Sequence, residues 1–117
     1  MLCVNIIGAG KVGRSFMALI AAAEGIALGD VASRRPESAR DAVAALGAGR
    51  AVSDPGGMRP ADLWILAVPD DAIAGLARDL AALRAGGDGA AAIHCSGFLS
   101  SAALQPLRAR GWAVSIA

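Results

Sequence analysis

Three glycines at positions 8, 10 and 13 constrain the fold of this chain more than any other feature. In the stretch CVNIIGAGKVGRSFMALIAA (residues 3–22), an apolar run of strand length precedes them and an alanine-rich segment of helical period follows. A G-x-G-x-x-G spacing alone is weak evidence, because a glycine-rich chain produces it by chance. Between a strand and a helix that open a β-α-β unit, the spacing is typical of a turn that binds the pyrophosphate of a dinucleotide.

Each glycine has a predicted task in such a turn. Gly8 permits the tight turn out of the strand, Gly10 lets a pyrophosphate approach the backbone, and Gly13 lets the helix pack closely on the sheet. The amides that begin the helix point at the phosphates and are assisted by the helix dipole. The predicted pyrophosphate-binding residues are Gly8, Ala9, Gly10, Lys11 and Val12. The alternative is a turn whose glycines serve packing alone.

The remaining apolar runs alternate with helical segments and predict the architecture. Strands are expected at residues 2–7, 26–32, 49–53, 62–68, 90–95 and 112–116, and helices begin near residues 11, 36, 70 and 100. The stretch DPGGMRPA is too rich in glycine and proline for a regular helix and predicts a loop or a single turn. Right-handed crossovers then give an α/β fold, a doubly wound parallel sheet of six strands in the order 3-2-1-4-5-6.

This strand order separates the two cysteines. Cys3 falls on the first strand and Cys95 at the end of the fifth, with the fourth strand between them. Two inter-strand spacings amount to roughly 9–10 Å, which exceeds the reach of a disulfide. Both are therefore predicted to be free thiols.

Composition narrows the classes of function. The 117 residues suffice for one domain, and the net charge of +1 comes from basic residues dispersed among carboxylates, which argues against a nucleic-acid interface. The apolar runs are too short to cross a bilayer, and the N-terminus lacks the pattern of a signal peptide. No Cys or His residues lie at metal-ligand spacing. We expect a soluble cytoplasmic protein with a small-molecule substrate and no nucleic-acid, membrane or metal partner.

The end of the second strand, GDVASRRPE, indicates which dinucleotide binds. An NAD site normally has an acid at the strand tip, which accepts hydrogen bonds from the adenosine ribose. Asp30 lies about three residues before the tip and is expected to make a structural hydrogen bond. Ser33, Arg34 and Arg35 occupy the tip and the following loop, where a hydroxyl and two guanidinium groups suit a 2′-phosphate. NADP(H) is therefore favoured over NAD(H), and the alternative for the two arginines is a solvated loop pair.

Two residues at the end of the fourth strand, Val68 and Pro69, are predicted to line the cofactor crevice on the side of the ribose distal to adenosine. Asp70 and Asp71, which follow them, are expected to be carboxylates at a helix start rather than catalytic acids.

The fifth strand ends in AIHCSGFLSS, the one polar cluster with candidate chemistry. His94 and Ser96 are the candidate catalytic residues, with His94, the sole histidine, as a general acid for a carbonyl. The alternative is a histidine whose nitrogens are satisfied by backbone groups. Cys95 has no separate base in view and is not favoured as a nucleophile.

Four motifs, NIIGAGKVGRSF, VASRRPESA, ILAVPDDAI and HCSGFLSSAAL, occur in this order along the chain. Together they resemble the N-terminal domain of a group of two-domain Rossmann proteins. That group is similar to the pyrroline-5-carboxylate reductase, ketopantoate reductase and 6-phosphogluconate dehydrogenase superfamily. The resemblance implies that residues 1–117 form the NADP-binding domain of an oxidoreductase that transfers hydride to or from a small carbonyl or imine.

The resemblance also implies an all-helical second domain, absent from these 117 residues, that dimerises, closes the active site and supplies the principal catalytic side chain. A homodimer is therefore expected. Two other functions stay open at this point. One is a non-catalytic dinucleotide-binding module or redox sensor, and the other is a structural domain that binds no nucleotide.

Overall fold

The computed structural model of the protein describes residues 1–83, 90–95 and 101–116. Its elements are β1 (Leu2–Ile7), α1 (Lys11–Ala22), β2 (Ile26–Ala32), α2 (Pro36–Leu46), β3 (Arg50–Val52), β4 (Leu63–Leu66), α3 (Asp70–Leu83), β5 (Ala91–His94), α4 (Gln105–Arg108) and β6 (Ala113–Ile116).

The six strands form one parallel sheet in the order β3-β2-β1-β4-β5-β6, which confirms the predicted topology. Helices α1 and α2 pack on one face, where Met17, Ile20 and Ala39 are buried. Helices α3 and α4 pack on the other face around Trp64, Ile73 and Leu107. Strand order reverses between β1 and β4, so the carboxyl ends of these strands border the crevice in which such sheets bind ligands.

Local sequence explains where most helices begin and end. Helix α2 begins at Pro36, carries Glu37 in its first turn and is followed by Gly47, whose φ of +74° suits a glycine. Helix α3 begins at Asp70 and has Asp71 beside it, so both carboxylates lie at a helix start as predicted.

The last helical segment differs from the single helix that the sequence predicts from near residue 100. A 3-10 turn, Ser101–Leu104, comes first, and the four-residue helix α4 follows. Pro106 explains the division, because it has no N–H to donate to a carbonyl four residues earlier. Ser100, where the sequence predicts this helix to begin, lies outside the described residues.

The segment between β3 and β4 contains one 3-10 turn, Pro55–Gly57, which confirms the predicted loop or single turn. The Asp54 carboxylate begins this turn by accepting a hydrogen bond from the Gly56 amide at 2.8 Å. Met58 is buried in the core that also contains α3 and α4. The segment therefore covers part of the sheet on that face, in the place where a crossover helix would otherwise lie.

Neither cysteine forms a disulfide, as predicted from the strand order: Cys3 and Cys95 are free and half-buried. Over the described ranges, no helix combines the length and hydropathy needed to cross a bilayer.

Candidate functional site

The turn between β1 and α1 is held tightly against the sheet. The Gly8 amide donates to the Ala32 carbonyl at 2.8 Å, and the φ of Gly8 is +113°. An ideal β-carbon on Gly8 would lie 2.1 Å from the carbonyl oxygen of Ala67, and one on Gly13 would lie 1.9 Å from the carbonyl oxygen of Gly8. Both positions therefore require glycine for packing, which agrees with the tasks predicted for them.

Gly10 differs from these two glycines, because an ideal β-carbon there meets nothing within 4 Å. Its side faces open space, and it is the residue that precedes α1. Within the described chain, α1 has no acidic residue in its first turn and no side-chain cap. The amides of Lys11 and Val12 therefore have no side-chain acceptor from the cap, and the start of a helix in this state favours an anion.

Two adjoining cavities lie along the carboxyl ends of β1, β2 and β4. The first, which we call the turn cavity, has a volume of about 320 Å³ and is lined by Gly8–Gly10, Ser33–Arg35, Ser38 and Ala67–Pro69. The second, which we call the α3 cavity, has a volume of about 470 Å³. It is lined by Ile7, Ala32–Arg34, Pro55, Val68–Pro69, Ala72, Gly75–Leu76 and Asp79. Since the two cavities share Ser33, Arg34, Val68 and Pro69, they form one groove.

The β2–α2 loop brings the three predicted 2′-phosphate ligands to this groove. Arg34 and Arg35 are exposed, and neither guanidinium forms an ion pair with a described residue. The Ser33 hydroxyl donates to the Arg35 carbonyl and accepts from the Ala39 amide at 3.0 Å. Ser33 therefore fixes the loop and the start of α2, and its contact with a 2′-phosphate stays a prediction.

The two predicted residues at the end of β4 also reach the groove. Val68 and Pro69 line both cavities together with Ser33 and Arg34. The structure thus brings the glycine turn, the arginine loop and the end of β4 to one place. The predicted contact of Val68 and Pro69 with the distal ribose stays a prediction.

The end of β5 carries the predicted catalytic residues. The His94 side chain is fully buried in the structure, and Cys95 beside it is half-buried. Burial raises the pKa of the Cys95 thiol, which disfavours a nucleophilic thiolate there. Ser96 lies outside the described residues. The catalytic roles of His94 and Ser96 stay predictions.

The sequence predicts a structural role for Asp30 but does not predict which residues bind its carboxylate. The Asp30 carboxylate is fully buried and accepts hydrogen bonds from the guanidinium groups of Arg50 (2.9 and 3.0 Å) and Arg59 (2.7 Å at the closest). The Arg59 amide also donates to it at 2.7 Å. Asp30 is thus structural, as expected. The sequence signal for the network was a polar residue inside each of two apolar strands, Asn5 in β1 and Asp30 in β2.

Electrostatics in this network favour the charged carboxylate. Burial by itself raises the pKa of Asp30, but hydrogen bonds from Arg50 and Arg59 outweigh it and hold that pKa well below its ordinary value. The same contact raises the pKa of Arg50. Both oxygens of Asp30 are therefore occupied by protein donors.

A family model described as a Rossmann-like domain matches residues 1–117, the whole chain. The chain belongs to the Rossmann-like domain family. Among curated proteins, none matches the chain significantly.

Several solved structures are similar to this Rossmann-like domain. A candidate NADP oxidoreductase, BF3122 of Bacteroides fragilis, is 25% identical, with a TM-score of 0.73 over 86% of this chain and 38% of its own. An oxidoreductase of Agrobacterium radiobacter, solved with NAD⁺, L-tartaric acid and magnesium, is 17% identical, with a TM-score of 0.78 over 98% of this chain and 34% of its own. Biliverdin reductase of Synechocystis sp. PCC 6803, solved with biliverdin and NADP⁺, is 14% identical, with a TM-score of 0.75 over 98% of this chain and 37% of its own. This chain spans little more than a third of each.

Proposed function

We propose that this Rossmann-like domain binds NADP(H) as the cofactor domain of an oxidoreductase. The observation that carries the proposal is the open face of Gly10 above the uncapped start of α1, in the same groove as Arg34 and Arg35. The first-turn amides would bind the pyrophosphate, and Gly10 would allow it to reach the backbone. The cofactors in the NAD⁺ and NADP⁺ complexes of two similar structures support a dinucleotide.

The arginine loop supports NADP(H) over NAD(H). Arg34 and Arg35 are exposed beside the groove and have no carboxylate partner among the described residues, so either can bind a 2′-phosphate. An NAD site needs a carboxylate free to accept from the ribose hydroxyls. Asp30 does not meet that need, because it is buried and its oxygens accept from Arg50 and Arg59.

The α3 cavity suits the adenine base. Its volume of about 470 Å³ lies in the range of small-molecule sites, and its walls are largely apolar, including Ile7, Val68 and Leu76. Arg34 lies at its junction with the turn cavity, so a base in the α3 cavity places its ribose near the arginine loop.

The chemistry and assembly follow from the resemblance of the motifs. NADP(H) carries a hydride on its nicotinamide ring, and this chain would bind and orient it towards a small carbonyl or imine. We place the protein near the pyrroline-5-carboxylate reductase, ketopantoate reductase and 6-phosphogluconate dehydrogenase superfamily, as a cytoplasmic homodimer with a helical second domain. Within this chain, His94 and Ser96 are the residues proposed to face the reaction.

Thermal unfolding with and without nucleotide tests the proposal. NADPH at about one hundred times its dissociation constant should stabilise the chain by near 2.7 kcal/mol, and NADH at the same concentration should stabilise it less. Arg34→Ala should reduce the shift with NADPH and leave the shift with NADH. Arg40→Ala, an exposed arginine of α2 away from the groove, is the matched control.

Other outcomes would contradict separate parts of the proposal. Stabilisation by neither nucleotide would support a structural domain. Equal shifts with both nucleotides in wild type and in Arg34→Ala would reject NADP selectivity. Binding with no turnover of imines or keto acids by the full-length protein would support a non-catalytic module or redox sensor.

A further inference from the structure

The network around Asp30 reaches the nucleotide groove through the 3-10 turn Pro55–Gly57. Arg50 makes two hydrogen bonds to Asp30, and its Nη2 also donates to the Gly57 carbonyl at 3.3 Å. The turn is closed within itself, because the Gly57 amide donates to the Asp54 carbonyl and the Met58 amide to the Pro55 carbonyl. A displacement of Gly57 is therefore transmitted to Pro55.

Pro55 is the residue of this turn that lines the α3 cavity, and Leu76 and Asp79 of α3 line the same cavity. The position of the turn thus determines part of the cavity wall. The turn also contacts helix α3, so it is positioned both by that helix and by support from the sheet beneath it.

The sheet provides that support with polar groups. The Asn5 carboxamide accepts from the Asp30 amide at 2.8 Å and donates to the Arg59 carbonyl at 2.7 Å, at the point where the β1–β2 register shifts. An ideal β-carbon on Gly29 would lie 2.6 Å from the Asn5 oxygen, so Gly29 makes room for this contact. Arg59 then binds Asp30 through its amide and its guanidinium. The turn and the segment after it are therefore tied to β1, β2 and β3 at once.

We propose that Asp30 and Arg50 are positioning residues for the nucleotide: they hold the Pro55–Gly57 turn so that Pro55 closes the α3 cavity against the adenine base. This inference rests on the proposed dinucleotide function. Because adenine is common to NADPH and NADH, the effect of this wall is independent of the 2′-phosphate. It is therefore separable from the effect of Arg34.

Arg50→Ala is the test variant, since Arg59 still neutralises Asp30 and the chain keeps its core. We expect about tenfold weaker binding of both NADPH and NADH by isothermal titration, a size that falls within couplings between neighbouring residues. The ratio of the two affinities should stay at its wild-type value. Hydrogen exchange at residues 54–58 should be faster than in wild type, and nucleotide should protect them less.

Pro55→Gly changes the wall and leaves Arg50 and Asp30 in place. It should weaken both nucleotides to a similar extent. The double variant Arg50→Ala/Pro55→Gly should bind each nucleotide no more weakly than the single variant with the lower affinity. Both substitutions act through the same wall of the α3 cavity, so their effects should not add. A purely structural role for Arg50 predicts a lower melting temperature and unchanged affinity, a result that would overturn the inference.

The failure of the inference differs from the failure of the proposed function. Wild-type affinity in Arg50→Ala, with Arg40→Ala as the control, overturns the positioning role and leaves dinucleotide binding intact. Additive losses in the double variant also overturn it. No binding of either nucleotide by the wild-type chain overturns the proposed function itself.

Discussion

Gly13 approaches Gly8 so closely that an ideal β-carbon on Gly13 would lie 1.9 Å from the carbonyl oxygen of Gly8. Since Gly8 is itself packed on the backbone of Ala67, directly after β4, the turn cannot shift away from α1 without moving Ala67. The first and last glycines of the motif are therefore needed for the fold whether or not a nucleotide binds. The middle glycine, Gly10, has no such packing role.

Gly13→Ala should destabilise the protein. Alanine is favoured over glycine in a helix by about 1 kcal/mol, but the clash with backbone costs typically 1–3 kcal/mol or more, so the net change is a loss. Urea denaturation measures the free energy of unfolding. Gly75→Ala in α3 is the control, because its nearest contact would be the Arg78 side chain at 3.7 Å, and it should be neutral or stabilising. A Gly13→Ala variant as stable as wild type would contradict the packing described here.

Gly10→Ala should leave stability unchanged and impair nucleotide binding. Its φ of −79° is accessible to alanine, and beyond its chain neighbours nothing lies within 4 Å of the new methyl group. The lower entropy of alanine in the unfolded chain stabilises, and its poor fit to the position before a helix destabilises by a similar amount, so the free energy of unfolding should change little. The methyl group would occupy the space through which a pyrophosphate reaches the backbone, and NADPH affinity should fall at least about tenfold. Titration calorimetry beside urea denaturation separates the two effects. Wild-type affinity would show that the phosphates do not pass Gly10.

The sequence allowed the glycine turn to be predicted because the turn rests on a local pattern. It allowed the sheet order to be predicted because strands and helices alternate along the chain and their crossovers are right-handed. The turn needs only Gly8, Gly10 and Gly13 between a strand and a helix, and continuous apolar runs such as LWIL signal buried parallel strands. The partners of Asp30 could not be found in this way. Arg50 and Arg59 lie 20 and 29 residues from it, and their pairing depends on how the β3–β4 segment crosses the sheet.

Thiol reactivity should differ between the denatured and the native protein. Because Cys3 and Cys95 are free, denatured protein without reductant should give two reactive thiols per chain with Ellman's reagent. In the native protein Cys95 should react more slowly than a free cysteine at pH 8, since burial raises its pKa and lowers the thiolate fraction. Mass spectrometry after alkylation identifies the site. Loss of both thiols in denaturant would indicate a disulfide and contradict the strand order.

Acid should destabilise the protein partly through Asp30. Its pKa is lowered in the folded state, so the unfolded chain binds a proton that the folded chain does not as the pH falls below its ordinary pKa of 3.8. The stabilisation by this carboxylate is complete above about pH 5 and is lost progressively below it, with a slope of at most about 1.4 kcal/mol per pH unit. Asp30→Asn should cost about 2 kcal/mol at pH 7, because hydrogen bonds to a charged group are lost, and it should flatten the dependence of stability on pH below 4. Urea denaturation between pH 2.5 and pH 7 measures both effects. Asp41→Asn is the control, because Asp41 is exposed on α2, and this variant should keep the wild-type dependence of the free energy of unfolding on pH. The same dependence in Asp30→Asn would show that Asp30 titrates at its ordinary pKa.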